Sequence, residues 1–415
     1  MKKKLILLNI KRHHGEIDWI LPLLYRFDNS YNILTIFDFE KTFLDFKKNK
    51  ILYNIWKKKN NYIYIKNRSD KIIFKALFKI LGYLKNLNIY FPKIEKFVLD
   101  KISNLEKFLS KKKLSISCIN FFFIAHHNRA YLPTYIKKRN PQCLIIRFPE
   151  SPWIFPTRQQ NKNLTISGEF RNNIADFYLH TAFANKKFFL GKTNNKKIIY
   201  CKNFRYEKWW IQKFCKKKIK KSFNILVATR PPVEDYFSQI SYEKVISSIV
   251  YAARQIENSK ITFKIHPHNK EYFLLKEILN KHKFKNWKIK NDHSFSLGYN
   301  SDVCITVITS TCLDFLSLKK PTFEFFFSHE DANKTSTKYP HYVYNYKAQK
   351  WVSIFEHLGF LKTYKSSKDI VKIFKMIKAK QNQNYWKKYY ETFKNWENKK
   401  LDSKIVSKLL IISSK

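Results

Sequence analysis

Between Phe223 and Phe326, apolar runs of strand length repeatedly end in polar residues suited to holding phosphate, and this repetition constrains the fold more than any other feature. FNILVA runs into Arg230. ITF runs into Lys264, His266, Pro267 and His268. DVCITVI runs into Thr309, Ser310 and Thr311 before an apolar helix begins. Apolar run, polar loop, amphipathic stretch and a further apolar run make the βαβ rhythm of a parallel sheet. In open α/β sheets ligands bind beyond the strand ends, so the segment reads as a nucleotide-binding half-domain.

Strands are expected near 223–229, 261–265, 286–290, 302–308 and 322–327, with a last one near 360–363 and a helix at 367–379. The N-terminal half repeats the theme less regularly, with apolar runs at 3–10, 32–38, 62–65, 116–124, 143–148 and 175–180. A Lys-rich helical insertion interrupts it at 66–113, where Phe74, Leu77, Phe78 and Leu81 recur at helical spacing. The expected architecture is α/β, with two Rossmann-like domains facing a cleft: 1–201 on the acceptor side and 222–380 on the nucleotide-donor side. The basic, aromatic stretch 202–221 connects them, and a helical tail follows at 381–415. In that tail Trp386, Tyr389, Tyr390, Phe393 and Trp396 share one face, suited to packing back across the domains. With only six glycines, neither a GxGxxG fingerprint nor a Walker loop occurs.

The formal charge of +50 invites a nucleic-acid reading, but of 81 basic residues 70 are lysine and 11 arginine. Arginine is the fork-shaped reader of phosphates and bases, so dispersed lysine points to a solvated basic surface and no nucleic-acid partner. Such a surface also suits a peripheral contact with anionic lipid, where each nearby lysine adds about 1 kcal/mol. Six cysteines without CxxC spacing read as reduced, buried thiols of a cytoplasmic protein, placed there or at the inner face of the cell membrane. MKKKLILLNI reads as a first strand rather than a signal peptide, and no apolar stretch reaches transmembrane length.

The chemistry concentrates in two loops. In FKIHPHN, Lys264 and the pair His266 and His268 flank Pro267, whose fixed φ stiffens the turn. Rigid cationic or hydrogen-bonding groups there can neutralise a departing diphosphate without a metal. In ITSTCLD, Thr309, Ser310 and Thr311 open a helix whose free amides suit phosphate, and Thr311 with Asp314 fits a capping box. Glu324 lies in or just after the following strand. The Lys-x-His-Pro loop, followed by Ser/Thr residues opening a helix that ends in Leu-x-x-Lys-Lys-Pro, resembles bacterial CDP-glycerol glycerophosphotransferases, polysialyltransferases and capsule Kdo-transferases. The likeness covers about 223–330, and KNFRYEKWW is similar to a segment preceding the second domain of surface-carbohydrate proteins. It implies a GT-B glycosyltransferase-like enzyme in which His266, Ser310 and Thr311 contact a nucleotide-activated donor, cytidine-linked in those families. The nucleotide-sugar is then a substrate, no cofactor or metal is expected, and the acceptor is a surface glycan or a lipid-linked glycan.

On the acceptor side FPESPWIFP stands where those families carry a His-Gly loop, so the general base is sought among strand ends. Candidates are His13, His14 and Glu16, then His126 and His127, then Glu150; Gly15 favours the first loop because it permits close approach to a ligand. Two rival functions remain open at this level. A GT-B-shaped nucleotide-sugar epimerase shares the architecture, and a basic nucleic-acid-binding protein would exploit the charge.

Overall fold

A computed structural model describes residues 4–10, 15–65, 104–124, 131–148, 175–181, 198–201, 203–216, 222–232, 237–266, 271–325, 342–345, 349–381, 383–398 and 405–413. His13, His14, His126, His127, Glu150, Pro267 and His268 lie outside the described residues, as does 66–103 of the expected insertion. The remainder of that insertion contains a helix at 104–111, which buries Leu105 and Leu109.

Seven strands form the first sheet: β1 (Lys4–Ile10), β2 (Tyr31–Phe37), β3 (Tyr62–Ile65), β4 (Ile119–Ile124), β5 (Leu144–Arg147), β6 (Phe177–Thr181) and β7 (Ile198–Cys201). All pairings are parallel, in the order β3-β2-β1-β4-β5-β6-β7. Leu5, Ile6, Leu7 and Leu8 are fully buried, which is why this strand reads as an unbroken apolar run: both of its faces are covered. Asn140 stitches the far end of the sheet by donating to the carbonyls of Ile116 (3.0 Å) and Ile119 (2.8 Å).

The second sheet repeats the plan with β8 (Phe223–Ala228), β9 (Ser259–Lys264), β10 (Trp287–Lys290), β11 (Val303–Thr306), β12 (Thr322–Phe325) and, after a hairpin, β15 (Thr363–Tyr364). Its order is β10-β9-β8-β11-β12-β15, again parallel throughout. The hairpin, β13 (Tyr342–Asn345) with β14 (Lys350–Ser353), is antiparallel and was not foreseen from sequence. In each sheet the strand order reverses beside the first strand, so the switch points lie at β1/β4 and β8/β11.

Crossover helices form where caps and apolar stripes coincide. Gln239–Arg254 begins at Ser238, whose hydroxyl accepts from the Ser241 amide (3.1 Å), and it buries Tyr242, Val245, Ile246, Ile249 and Val250 on one stripe. One apolar cluster runs from Ile6 and Phe123 through Trp210 and Phe214 to Ile225, Phe295 and Phe374. The segment between the sheets, with its short helix Lys208–Gln212, is therefore embedded in the core rather than slung outside it.

Candidate active site

The second sheet's switch point gathers the polar residues. Thr229 and Arg230 follow β8, Lys264 ends β9 with His266 just beyond, and Thr309, Ser310 and Thr311 follow β11. All lie at the carboxyl edge of a parallel sheet, and all but Thr229 are partly exposed. The Thr229 amide donates to the Lys264 carbonyl (3.0 Å), locking the two strand ends together. Glu271, almost wholly buried, braces the histidine loop: its Oε1 accepts from the His266 amide (2.6 Å). Burial pushes the Lys264 ammonium below its ordinary pKa; Asp314 pulls it up, and Arg205 pushes it down again.

Ile308 shapes the hydroxyl loop. It is buried and adopts φ +49°, a left-handed conformation that a β-branched residue enters only when its surroundings impose it. This reversal ends β11 at Thr306, short of the expected 308, and turns the chain into Thr309–Thr311. The expected capping box does not form. Thr311 itself has helical dihedrals and makes no side-chain cap, while Thr309 Oγ1 accepts from the Thr311 amide (3.3 Å). The Asp314 carboxylate is drawn away from the helix start by Arg205 and Ser294.

Glu324 lies inside β12, only 1% exposed, and accepts from Thr363 Oγ1 (3.1 Å). Burial pushes its carboxyl up to about 7, against hydrogen bonds from Ser353, Thr363 and the Ile308 amide that pull it down. Glu324 thus touches the strained turn directly. Glu16, in the first turn of the helix Gly15–Leu24 after β1, is fully enclosed.

The strongest polar cluster escaped the sequence reading. Arg205, in the segment between the sheets, donates through Nε to Asp18 Oδ2 (2.5 Å), through its two terminal nitrogens to both oxygens of Asp314, and to Ser294 Oγ (3.3 Å). Asp18 also accepts from Trp210 Nε1 (3.2 Å) and pairs with His293 Nε2 (2.9 Å). His293 Nδ1 accepts from the Phe295 amide, so Nε2 is the nitrogen that carries the hydrogen and donates to Asp18. Every member is buried. Burial raises the Asp18 carboxyl, but Arg205 and His293 overcome it and hold Asp18 well below the usual carboxylate range. Burial likewise works against the Arg205 charge, yet Asp18 and Asp314 drive its pKa further up. A signal existed in the sequence: one arginine between aromatic residues in NFRYEKWW, a pair of carboxylates in the apolar helix GEIDWILPLL and a single one in CLDFLS.

Two parallel sheets, each with its own switch point and joined through a buried connector, define a two-domain α/β fold of the GT-B type. Among solved structures the chain is similar to the UDP-GlcNAc 2-epimerase of Neisseria meningitidis bound to UDP-GlcNAc, at 11% identity over 98% of this chain and 99% of that one, with a TM-score of 0.54. It is similar to the wall teichoic acid polymerase TagF at 11% identity over 100% and 89%, with a TM-score of 0.56. A glycosyltransferase from Rickettsia africae aligns at 13% identity over 100% and 99%, with a TM-score of 0.50. At these identities the likeness is one of fold. No protein-family model matches the chain, and no curated protein matches its sequence.

Proposed function

We propose that this chain is a GT-B-type glycosyltransferase that moves a sugar or glycerol-phosphate unit from a nucleotide-activated donor to a surface polysaccharide or a lipid-linked acceptor. The observation that carries the reading is the gathering of Arg230, Lys264, His266 and Thr309–Thr311 at one carboxyl edge, around the β8/β11 switch point. That is where an open α/β sheet takes a nucleotide. In this reading Lys264 and His266 stabilise the negative charge developing on the departing phosphate, and no metal is called on. Thr309, Ser310 and Thr311 offer hydroxyls to the donor's phosphates or base edge, with Pro267 and His268 completing the histidine loop. Glu324 acts from beneath by holding the Ile308 turn that leads into Thr309–Thr311, and His13 or His14 of the first half takes the acceptor's proton, the enclosed Glu16 being out of an acceptor's reach.

Cytidine is the base favoured by the family resemblance. The fold neighbours whose ligands are named carry UDP or UDP-GlcNAc. Among the described residues no helix is long and apolar enough to cross a membrane. The basic surface is what supports a peripheral contact with a lipid-linked acceptor at the inner face of the membrane. Calorimetric titration with CMP, CDP, UDP and GDP tests the donor site: one of them should bind, and failure of all four removes the reading. His266→Ala should keep the fold and lower turnover about 100-fold. Epimerases of UDP-GlcNAc among the fold neighbours support a second reading, and product analysis separates the two. An epimerase releases an isomer of the donor without any acceptor.

A further inference from the structure

We infer that Arg205 is a positioning residue that sets the two domains in the one mutual placement that permits reaction. This inference rests on the proposed function for its consequence, but not for its geometry. Arg205 belongs to neither sheet. It lies between β7 and β8, and its guanidinium reaches forward and backward at once. Asp18 is in the first turn of the helix leaving the carboxyl edge of β1, and Asp314 is in the helix leaving the carboxyl edge of β11. These strands form the switch points of their respective sheets. One cation therefore spans the two edges between which donor and acceptor would meet.

A guanidinium is a rigid planar fork, so engaging Asp18 through Nε and Asp314 through both terminal nitrogens leaves little freedom in how the helices lie. The fork is itself fixed by rings. Its carbon lies 5.3 Å from the Trp19 centroid, 5.6 Å from Tyr206 and 4.8 Å from Phe295, which come from the first domain, the connector and the second domain. His293 stacks on Phe214 at 3.8 Å and donates to Asp18, adding a second bond between connector, first and second domains. Because the cluster is buried, water cannot replace these donors, and loosening it would strand two carboxylates.

The test uses the full chain with two variants. Arg205→Lys supplies a single-point cation that cannot span both carboxylates. The triple change Arg205→Met with Asp18→Asn and Asp314→Asn removes every charge, so that folding does not fail through an unpaired buried ion. Three readouts are taken: scanning calorimetry, affinity for whichever of CMP, CDP, UDP or GDP binds the wild type, and turnover. The wild type should unfold in one transition and the triple variant in two. Nucleotide affinity should stay within about twofold, while turnover falls roughly 100-fold, the scale of loss when reacting groups are misplaced by about 1 Å. Arg205→Lys should lose turnover to a similar degree. Normal turnover in the triple variant overturns the inference, and so does a single transition at the wild-type midpoint. If the wild type binds no nucleotide, the proposed function fails, and the calorimetric result still decides whether Arg205 joins the domains.

Discussion

Ile308 carries the clearest mark of backbone strain beside the candidate site, since a β-branched residue at positive φ costs about 1–3 kcal/mol. Glu324 helps hold it there, because its buried carboxylate accepts the Ile308 amide while Thr363 and Ser353 occupy its other lone pairs. The arrangement has a pH signature. Burial raises the Glu324 pKa from 4.5 to about 7, so the folded state favours the neutral acid. Below the unfolded value both states hold the proton and its contribution to stability is complete; as pH rises through the folded value the contribution is lost. Relative to Glu324→Gln, the wild type should lose about 3 kcal/mol of unfolding free energy between about pH 4.5 and 7. Denaturant titrations of both proteins across that range measure the difference. A difference that stays flat with pH would show that Glu324 ionises as readily in the fold as outside it.

Among the elements, the tail helix Gln383–Asn398 shows how a stripe read from sequence becomes an anchor. Trp386, Tyr389 and Phe393 are buried, and Tyr390 is partly so. Phe393 meets Tyr206 of the connector edge-on at 5.6 Å and Phe360 of the second domain at 5.8 Å. Phe393→Ala should cost about 3–5 kcal/mol, and chemical denaturation reads it directly. An unchanged midpoint would mean the helix docks without contributing to the core. That stripe was legible because helical spacing is local, as were the parallel strands, whose buried runs stand out against polar loops. The short hairpin was not: YVYN and KWVS mix polar and aromatic residues over four positions each, too few for a period to declare itself. The end of β11 was missed for another reason, because the backbone reverses at Ile308, the residue type least suited to it. At the site, the loop residues could be named because the chemistry sits at strand ends. The partners of Arg205 could not, since Asp18 and Asp314 lie 187 and 109 residues away and meet it only through the fold.

For the molecule as a whole, charge is the dominant uncompensated quantity. The chain has 81 basic residues and 31 acidic ones, so even complete pairing would leave 50 cations without a carboxylate. Some of the acids are not available at the surface at all: Asp18 and Asp314 are committed inside to Arg205, and Glu16, Glu271 and Glu324 are buried. Surface pairs such as Lys281 with Glu243 (3.3 Å) and Lys290 with Asp292 (3.2 Å) are exposed, and each contributes about 0–1 kcal/mol. Self-repulsion among the remaining lysines opposes the compact state. Raising salt from about 20 to 200 mM shortens the screening length from roughly 20 to 7 Å, which weakens repulsion between lysines spread over the surface. The buried Arg205 cluster, shielded from mobile ions, keeps its strength. The unfolding temperature should therefore rise by several degrees across that interval, where a protein held together by surface ion pairs would show a fall. Thermal scans in sodium chloride at fixed pH make the measurement. A falling midpoint would mean that the surface lysines are arranged around the few exposed carboxylates closely enough for attraction to exceed repulsion.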